Sequence, residues 1–304
     1  MTDALIIGAG PAGLTAAIYM LRAGLSATVF DKGFYGGQAA ITPEIENYPA
    51  ISSITGPEFS MQLYDQAVGL GAEVRFEEVK KLTLDGKIKY VYTDKETYQG
   101  KTLILANGVK RRKLGCPGEE ELAGKGVSYC ATCDGAFFKG KDVVLVGGGN
   151  TALEDALFLS NHCRHVTLVH RRNTFRGEKP LASAVAARDN IEIRFRCAVE
   201  RIEGEDRVER VAVQWLDTGD METIEAAGIF IAIGYEPDNH LVQGRLPLSS
   251  EGYILADESC RTAVDGVYVA GDSRTKLLRQ IITAAADGAV AAYQAAGYIS
   301  AAMT

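Results

Sequence analysis

The chain has 304 residues, 47% hydrophobic and 23% charged, with a formal net charge of −7. That length predicts about two domains, and the composition excludes disordered and fibrous classes. A surface of this sign gives no electrostatic footprint for nucleic acid or an anionic membrane, so neither is an expected partner. Glycine is the one excess, 33 residues against an average near 7%, and it marks places where backbone must approach something closely.

Met1-Thr2-Asp3 leads straight into an apolar strand, Ala4-Leu5-Ile6-Ile7, with no basic region and no small-residue cleavage site, so no signal peptide is expected. The strand meets Gly8-Ala9-Gly10-Pro11-Ala12-Gly13, a helical run from Leu14 to Ala23, and a second strand, Ala27-Thr28-Val29-Phe30-Asp31. Lys101 to Gly108 is a further apolar strand ending in glycine. Much later the pattern repeats: Val143 to Val146, then Gly147-Gly148-Gly149-Asn150-Thr151-Ala152, a helical run to Ser160, then Val166 to His170, with Gly228 to Gly234 closing the second half. Each repeat reads as the opening βαβ of a dinucleotide-binding fold, in which glycines permit a tight turn and bring a pyrophosphate to a helix N-terminus. The competing reading, glycine turns in any α/β sheet, would have to succeed twice.

A final strand, Gly266 to Asp272, and a long helix still need a sheet to join. The arrangement that provides one is an α/β protein of two Rossmann-like domains, the second inserted into the first: residues 1–113 and 244–304 form one, and 114–243 the other. Gly115-Cys116-Pro117-Gly118 and Gly234 to Asn239 carry the punctuation of connectors. The alanine-rich end from Ile281 to Ala302 comes nearest to a membrane span, but Asp287 interrupts it and its small side chains suit close helix packing.

Asp31 and His170 occupy equivalent positions at the ends of the second strands. A carboxylate there accepts ribose hydroxyls, so the first site suits the adenosine half of FAD. The second has no acid; His170, Arg171, Arg172 and Arg176 put cationic donors where a 2′-phosphate lies, which suits NADPH rather than NADH. A solvated basic loop is the blander alternative.

Between the fingerprints stands Ser128-Tyr129-Cys130-Ala131-Thr132-Cys133-Asp134-Gly135. A cysteine pair separated by two residues supports thiolate exchange near neutral pH. Buried structural thiols and a zinc site are the alternatives. Zinc needs two more ligands, for which Cys163 with His162 or His165 is the only nearby set, and no metal is expected. Asp134 before Gly135 reads equally as the start of a turn. Six cysteines are too few for a disulfide framework and imply a reducing, cytoplasmic setting.

Taken together, GAGPAG, Gly36-Gly37-Gln38, Glu46-Asn47-Tyr48-Pro49, CATCDG, GGGNTALEDA, HRRNTFR and GVYVAGD with Arg279-Gln280 resemble, in that order and over essentially the whole chain, the bacterial low-molecular-weight thioredoxin reductases. The resemblance implies FAD in the split domain, held at Gly8, Gly10, Pro11, Ala12, Gly13, Asp31, Gly37, Gln38, Asn47, Asp272, Arg279 and Gln280. It implies NADPH in the inserted domain at Gly147, Gly149, Asn150, Thr151, His170, Arg171, Arg172 and Arg176. It also implies that Cys133 faces the flavin, that Cys130 attacks the disulfide of a thioredoxin, and that Asp134 handles the proton. A homodimer is implied as well, and a rotation of the inserted domain about its two connectors. Asn107 departs from the family's usual threonine, and Cys116 from an aliphatic residue. Two alternatives stay open: a reductase of the same fold that uses ferredoxin or serves another dithiol protein, and a redox sensor without turnover.

Overall fold

The computed structural model describes residues 1–42 and 44–301, with Cys133 described by its backbone alone. The chain divides into two units, Met1–Lys110 with Glu236–Thr304, and Arg111–Tyr235.

The first unit begins with β1 (Thr2–Ile7), α1 (Pro11–Arg22), β2 (Ala27–Asp31), α2 (Gly56–Gly69) and β3 (Glu73–Phe76), continues through β4 (Val79–Thr83), β5 (Lys89–Thr93) and β6 (Thr97–Leu105), and leaves through β7 (Val109–Arg111). Its sheet runs β3-β2-β1-β6-β5-β4. β1 is parallel to β2 and β6, whereas β4 and β5 join as an antiparallel hairpin. The apolar run Ala4 to Ile7 is fully buried, as expected of a central parallel strand covered on both faces.

The second unit contains β8 (Val127–Ser128), α3 (Ala131–Asp134), β9 (Asp142–Gly147), α4 (Asn150–Ser160), β10 (His165–His170), α5 (Lys179–Ala186) and β11 (Ile191–Phe195). β12 (Cys197–Glu203), β13 (Arg210–Trp215) and β14 (Met221–Glu225) form a separate antiparallel sheet, after which β15 (Gly228–Ala232) returns to the main one. That main sheet, β11-β10-β9-β15-β8, is parallel throughout. Both units are therefore Rossmann-like dinucleotide-binding domains.

β16 (Tyr235–Pro237) leads back to the first unit and pairs with β7, so the two crossings form a two-stranded ribbon. The return lies earlier than residue 243. Buried Asn239 donates to the carbonyls of Gly252 and Ser273, both at 2.9 Å. Asn107 donates to the Asp238 carbonyl at 2.6 Å and to Asn239 Oδ1 at 3.0 Å, and Lys110 pairs with Asp238. These bonds bind residues 238 and 239 to the first unit, and glycine punctuation could not reveal them.

β17 (Val267–Val269) then lies parallel to β6, and α6 (Ile281–Ala301) packs along α1. No helix among the described residues is long and apolar enough to cross a membrane. The small residues of α6 instead let two backbones meet: a Cβ on Gly288 would lie 2.2 Å from the Ala12 carbonyl oxygen. Gly288→Ala should thus push α6 away from the first glycine turn. The expected cost is roughly 1–3 kcal/mol, the usual penalty for overpacking, read as a lower thermal midpoint. An unchanged midpoint would show that this contact is slack.

Candidate active site

α2 is capped in the ordinary way, with Thr55 Oγ1 accepting the Glu58 N–H at 3.3 Å. α1 and α4 are not. Their N-caps are Gly10 and Gly149, with no side-chain hydrogen bond, so their first-turn N–H groups are left for another acceptor. Pro11 follows Gly10 without penalty, because an N–H at that position would be unpaired anyway.

The glycines of the first turn divide the work. Gly8 has φ +107° and sits so close to β6 that a Cβ would fall 2.3 Å from the Ala106 carbonyl oxygen. On Gly13 a Cβ would fall 1.8 Å from the Gly8 carbonyl oxygen, so only glycine lets α1 lie on β1. Gly10 meets nothing closer than 4.0 Å, at Gly36 and Gly37, which leaves space for a ligand above the helix end. Asp31 braces this turn: Oδ2 accepts the Ala9 N–H at 2.9 Å and Oδ1 the Gly33 N–H at 3.1 Å. Each oxygen keeps a lone pair for a ribose hydroxyl.

In the same unit Asp272 follows β17. Its Oδ1 is buried with no partner among the described residues, and so is Nε of Arg279. Burial raises the Asp272 pKa, and Lys276 and Arg279 only partly oppose this. The Arg279 guanidinium lies over the Tyr253 ring at 3.9 Å, and Asn47 donates to Gln280 Oε1 at 3.0 Å. Gln38 reaches back toward the Val109 carbonyl. A buried acceptor and a buried donor, both unpartnered beside a glycine cradle, fit FAD, which offers hydroxyl donors and ring acceptors.

Sequence pattern registers Asp287 only as a charge interrupting α6. In the structure its carboxylate accepts the Gly271 N–H at 2.9 Å, Arg274 through Nε and Nη2 at 2.8 Å each, and Lys276 at 2.8 Å. Arg274 is only 1% exposed. The signal in the sequence is an acid in an otherwise apolar helix, with two unexplained cations in the preceding loop. Burial alone would raise the Asp287 pKa, but Arg274 and Lys276 outweigh it and hold the carboxyl below its ordinary value.

In the second unit Cys130 immediately precedes α3 and is disulfide-bonded, while Cys116, Cys163, Cys197 and Cys260 are free. The Cys133 side chain lies outside the described residues. Ser128 Oγ donates to Asp134 Oδ2 at 2.6 Å and accepts the Cys130 N–H at 3.1 Å, so the carboxylate is held beside the sulfur segment. Asp134 N–H also closes a turn on the Cys130 carbonyl at 3.1 Å. Phe137, on the same segment, is 74% exposed. No group of three metal-ligating side chains occurs among the described residues.

The second glycine turn differs from the first in its third position, where Ala152 stands. A Cβ on Gly147 would fall 2.4 Å from the Ala232 carbonyl oxygen, while Gly149 meets nothing within 4 Å. Asn150 Oδ1 accepts the Glu178 N–H at 2.8 Å, and Thr151 is exposed in the first turn of α4. Arg171, Arg172 and Arg176 are exposed. His170 is not displayed with them: it is buried at 6%, and its Nε2 meets the Thr174 carbonyl at 3.0 Å.

A disulfide-bonded cysteine in one nucleotide-binding domain, inserted into another with an orphaned acceptor and donor, defines a nucleotide-dependent disulfide oxidoreductase. The sequence profile described as pyridine nucleotide-disulphide oxidoreductase matches residues 2–288. The chain is 43% identical to a thioredoxin reductase of Peptoclostridium acidaminophilum, covering 98% of this chain and 97% of that one. It is 41% identical to that of Bacillus subtilis, covering 98% and 94%. The crystal structure of Lactococcus lactis thioredoxin reductase, 36% identical, superposes with a TM-score of 0.88 over 99% of this chain and 100% of that one. The chain therefore belongs to the thioredoxin reductases of the pyridine nucleotide-disulphide oxidoreductase family, flavoenzymes that use FAD and NADPH.

Two outcomes follow from the buried charges. Because the folded-state pKa of Asp287 is depressed, its stabilisation is present above the unfolded value of about 3.9 and is lost as pH falls through the lower folded value. Asp287→Ala leaves Arg274 without its closest partner and should cost about 3–5 kcal/mol near neutral pH; a loss no larger at pH 7 than at pH 2 would contradict the pairing. Asp272 has the opposite sign: its raised pKa penalises the folded state above pH 4. Asp272→Asn should raise the thermal midpoint of the flavin-free protein while weakening FAD retention. A lower midpoint would contradict the desolvated carboxylate.

Proposed function

We propose that this chain passes electrons from NADPH through FAD to a Cys130–Cys133 disulfide and on to the disulfide of thioredoxin. The observation that carries the reading is the disulfide-bonded state of Cys130 inside the inserted nucleotide-binding unit, with Asp134 held next to it. FAD, when bound, supplies hydride acceptance from NADPH and two-electron delivery to a disulfide. The uncapped end of α1 and the Gly8–Gly13 turn receive its pyrophosphate, Asp31 the ribose, and Asp272 and Arg279 the groups that meet their unpartnered atoms. Gly37, Gln38, Asn47 and Gln280 complete the flavin side. In the inserted unit the end of α4, with Gly149, Asn150 and Thr151, receives the NADPH pyrophosphate, and Arg171, Arg172 and Arg176 its 2′-phosphate.

Reduction of the disulfide takes two electrons and two protons and leaves two thiols. Asp134, tied to the cysteine segment through Ser128, is the group that relays the proton. Cys130 as thiolate attacks one sulfur of the thioredoxin disulfide; the other sulfur leaves and takes a proton. Cys133 then attacks Cys130, releasing thioredoxin as a dithiol and restoring the disulfide, so the cycle balances. Exposed Phe137 gives a protein partner an apolar contact on the same segment. The ribbon of β7 and β16 is where we place the flexion that serves successive steps. A homodimer in the cytoplasm completes the proposal and rests on the resemblance.

Purified protein, NADPH and thioredoxin should reduce a thiol reagent continuously, whereas reduced ferredoxin in place of NADPH should not. Cys133→Ser should trap thioredoxin as a stable mixed disulfide and Cys130→Ser should not, with flavin reduction by NADPH surviving in both. Thioredoxin reduction by the double serine variant at the unaltered rate would contradict the dithiol route. Removing both Arg171 and Arg172 should erase most of the preference for NADPH over NADH, since each charge-assisted contact is worth roughly 1.5–3 kcal/mol. An unaltered preference would refute that assignment.

A further inference from the structure

His170 is the last residue of β10, at the position where the first domain has Asp31, but its side chain does something different. The imidazole lies against the second glycine turn: a Cβ on Gly148 would sit 2.3 Å from both Cε1 and Nδ1 and 2.7 Å from Nε2. The ring thus fills the place a side chain at 148 would need. Its Nε2 meets the Thr174 carbonyl at 3.0 Å. Phe175 and Phe195 flank it, with ring centroids at 5.6 and 6.3 Å. One buried ring therefore touches both the phosphate-binding turn and the loop that follows β10.

That loop has a second tie at its far end. The N–H groups of Arg176 and Gly177 both reach the Gly148 carbonyl, at 2.7 and 3.1 Å. Beyond it, Asn150 and Glu178 exchange a pair of bonds, with Asn150 Nδ2 donating to Glu178 Oε1 at 3.1 Å. Between the ties, the side chains of Arg171, Arg172 and Arg176 stand exposed, and no ion pair among the described residues fixes them. The direction from which three long, rotamer-rich cations approach a phosphate is consequently set by the loop backbone, and a backbone fixed beforehand lowers the ordering cost of binding.

We propose that His170 is a positioning residue for nucleotide selectivity: it holds the 171–176 loop against the glycine turn so that the three arginines converge on a 2′-phosphate that His170 does not touch. This rests on the assignment of those arginines to the 2′-phosphate. Burial depresses the His170 pKa, with Arg172 and Arg176 adding to the effect, which agrees with a neutral ring that acts through Thr174. A strand end that in the first domain offers its carboxylate to a ribose here turns its side chain inward and gives ligand contact to the next residues along.

The test uses the flavin-loaded enzyme and two variants, His170→Phe, which keeps an aromatic ring against Gly148 but loses the hydrogen bond to Thr174, and His170→Gln, which keeps a donor for Thr174. The ratio of kcat/KM for NADPH to that for NADH is measured, together with calorimetric binding of 2′,5′-ADP and of ADP. A single net hydrogen bond corresponds to roughly a two- to tenfold effect. The Phe variant should lower the selectivity ratio and the 2′,5′-ADP affinity by about that factor, mostly in KM. ADP binding should change less, and flavin absorbance should be unaltered. The Gln variant should fall between Phe and the unmodified enzyme.

Equal loss for 2′,5′-ADP and ADP would overturn the selective role and leave His170 a prop for the glycine turn. A full preference for NADPH in both variants would overturn the inference outright. If the Phe variant fails to fold, an unchanged ratio in the Gln variant decides in the same way. No preference for NADPH in the unmodified enzyme would instead refute the underlying arginine assignment, so the two failures are distinguishable.

Discussion

A pyrophosphate carries charge that backbone N–H groups can meet only if the backbone comes within hydrogen-bonding distance, and it can do so only where side chains are missing. Most of what this chain does with its glycine excess follows from that constraint. It is met twice, with Gly8, Gly10 and Gly13 in one domain and Gly147 and Gly149 in the other. Each turn must also be held in shape by something outside it. Asp31 holds the first through the Ala9 N–H, and the Ala106 strand end closes over Gly8. The N–H groups of Arg176 and Gly177 tie the second through the Gly148 carbonyl, and the His170 ring packs on Gly148. The two domains thus share a turn and differ in what braces it, a carboxylate in the first and a buried imidazole in the second.

The same unit that binds through backbone also buries charge. Asp287 collects the Gly271 N–H, Arg274 and Lys276 around one carboxylate. Gly271 immediately precedes Asp272, so the buried pair fixes the turn that carries an unpartnered carboxylate oxygen. A buried ion pair is weak evidence for net stability, because desolvation offsets most of the attraction. Its clearer consequence is geometric: α6 is joined to the 271–276 turn through Asp287 and lies against α1 at Gly288 and Ala12.

Local pattern in the amino-acid sequence is enough to place the two βαβ repeats, the strands from Lys101 and Gly228, the return strand before Asp272 and the grouping of cysteines, since each depends on neighbours along the chain. What escapes it depends on contacts between distant residues. His170 reads as a cation on sequence because it sits beside two arginines; only its packing on Gly148 shows that it is buried. Asp287 reads as an interruption because its partners precede it in a loop with no periodicity. The return at Tyr235 falls inside the Gly234–Asn239 connector that glycine and proline mark, but a boundary at residue 243 is late, because Asn239 declares its domain only through bonds to Gly252 and Ser273. The antiparallel sheet β12-β13-β14 carries no motif, and nothing in its local pattern announces it.

The central claim is that a flavin in the first unit and the Cys130 disulfide in the second form a single electron chain fed by NADPH. Its most direct test is an anaerobic titration of the purified flavoprotein with NADPH, following flavin absorbance and counting free thiols at each addition. The unmodified chain should take up about two equivalents, one appearing as two new thiols and one as bleached flavin, whereas Cys130→Ser should take up only about one. Full bleaching after one equivalent with no new thiols in the unmodified chain would contradict it.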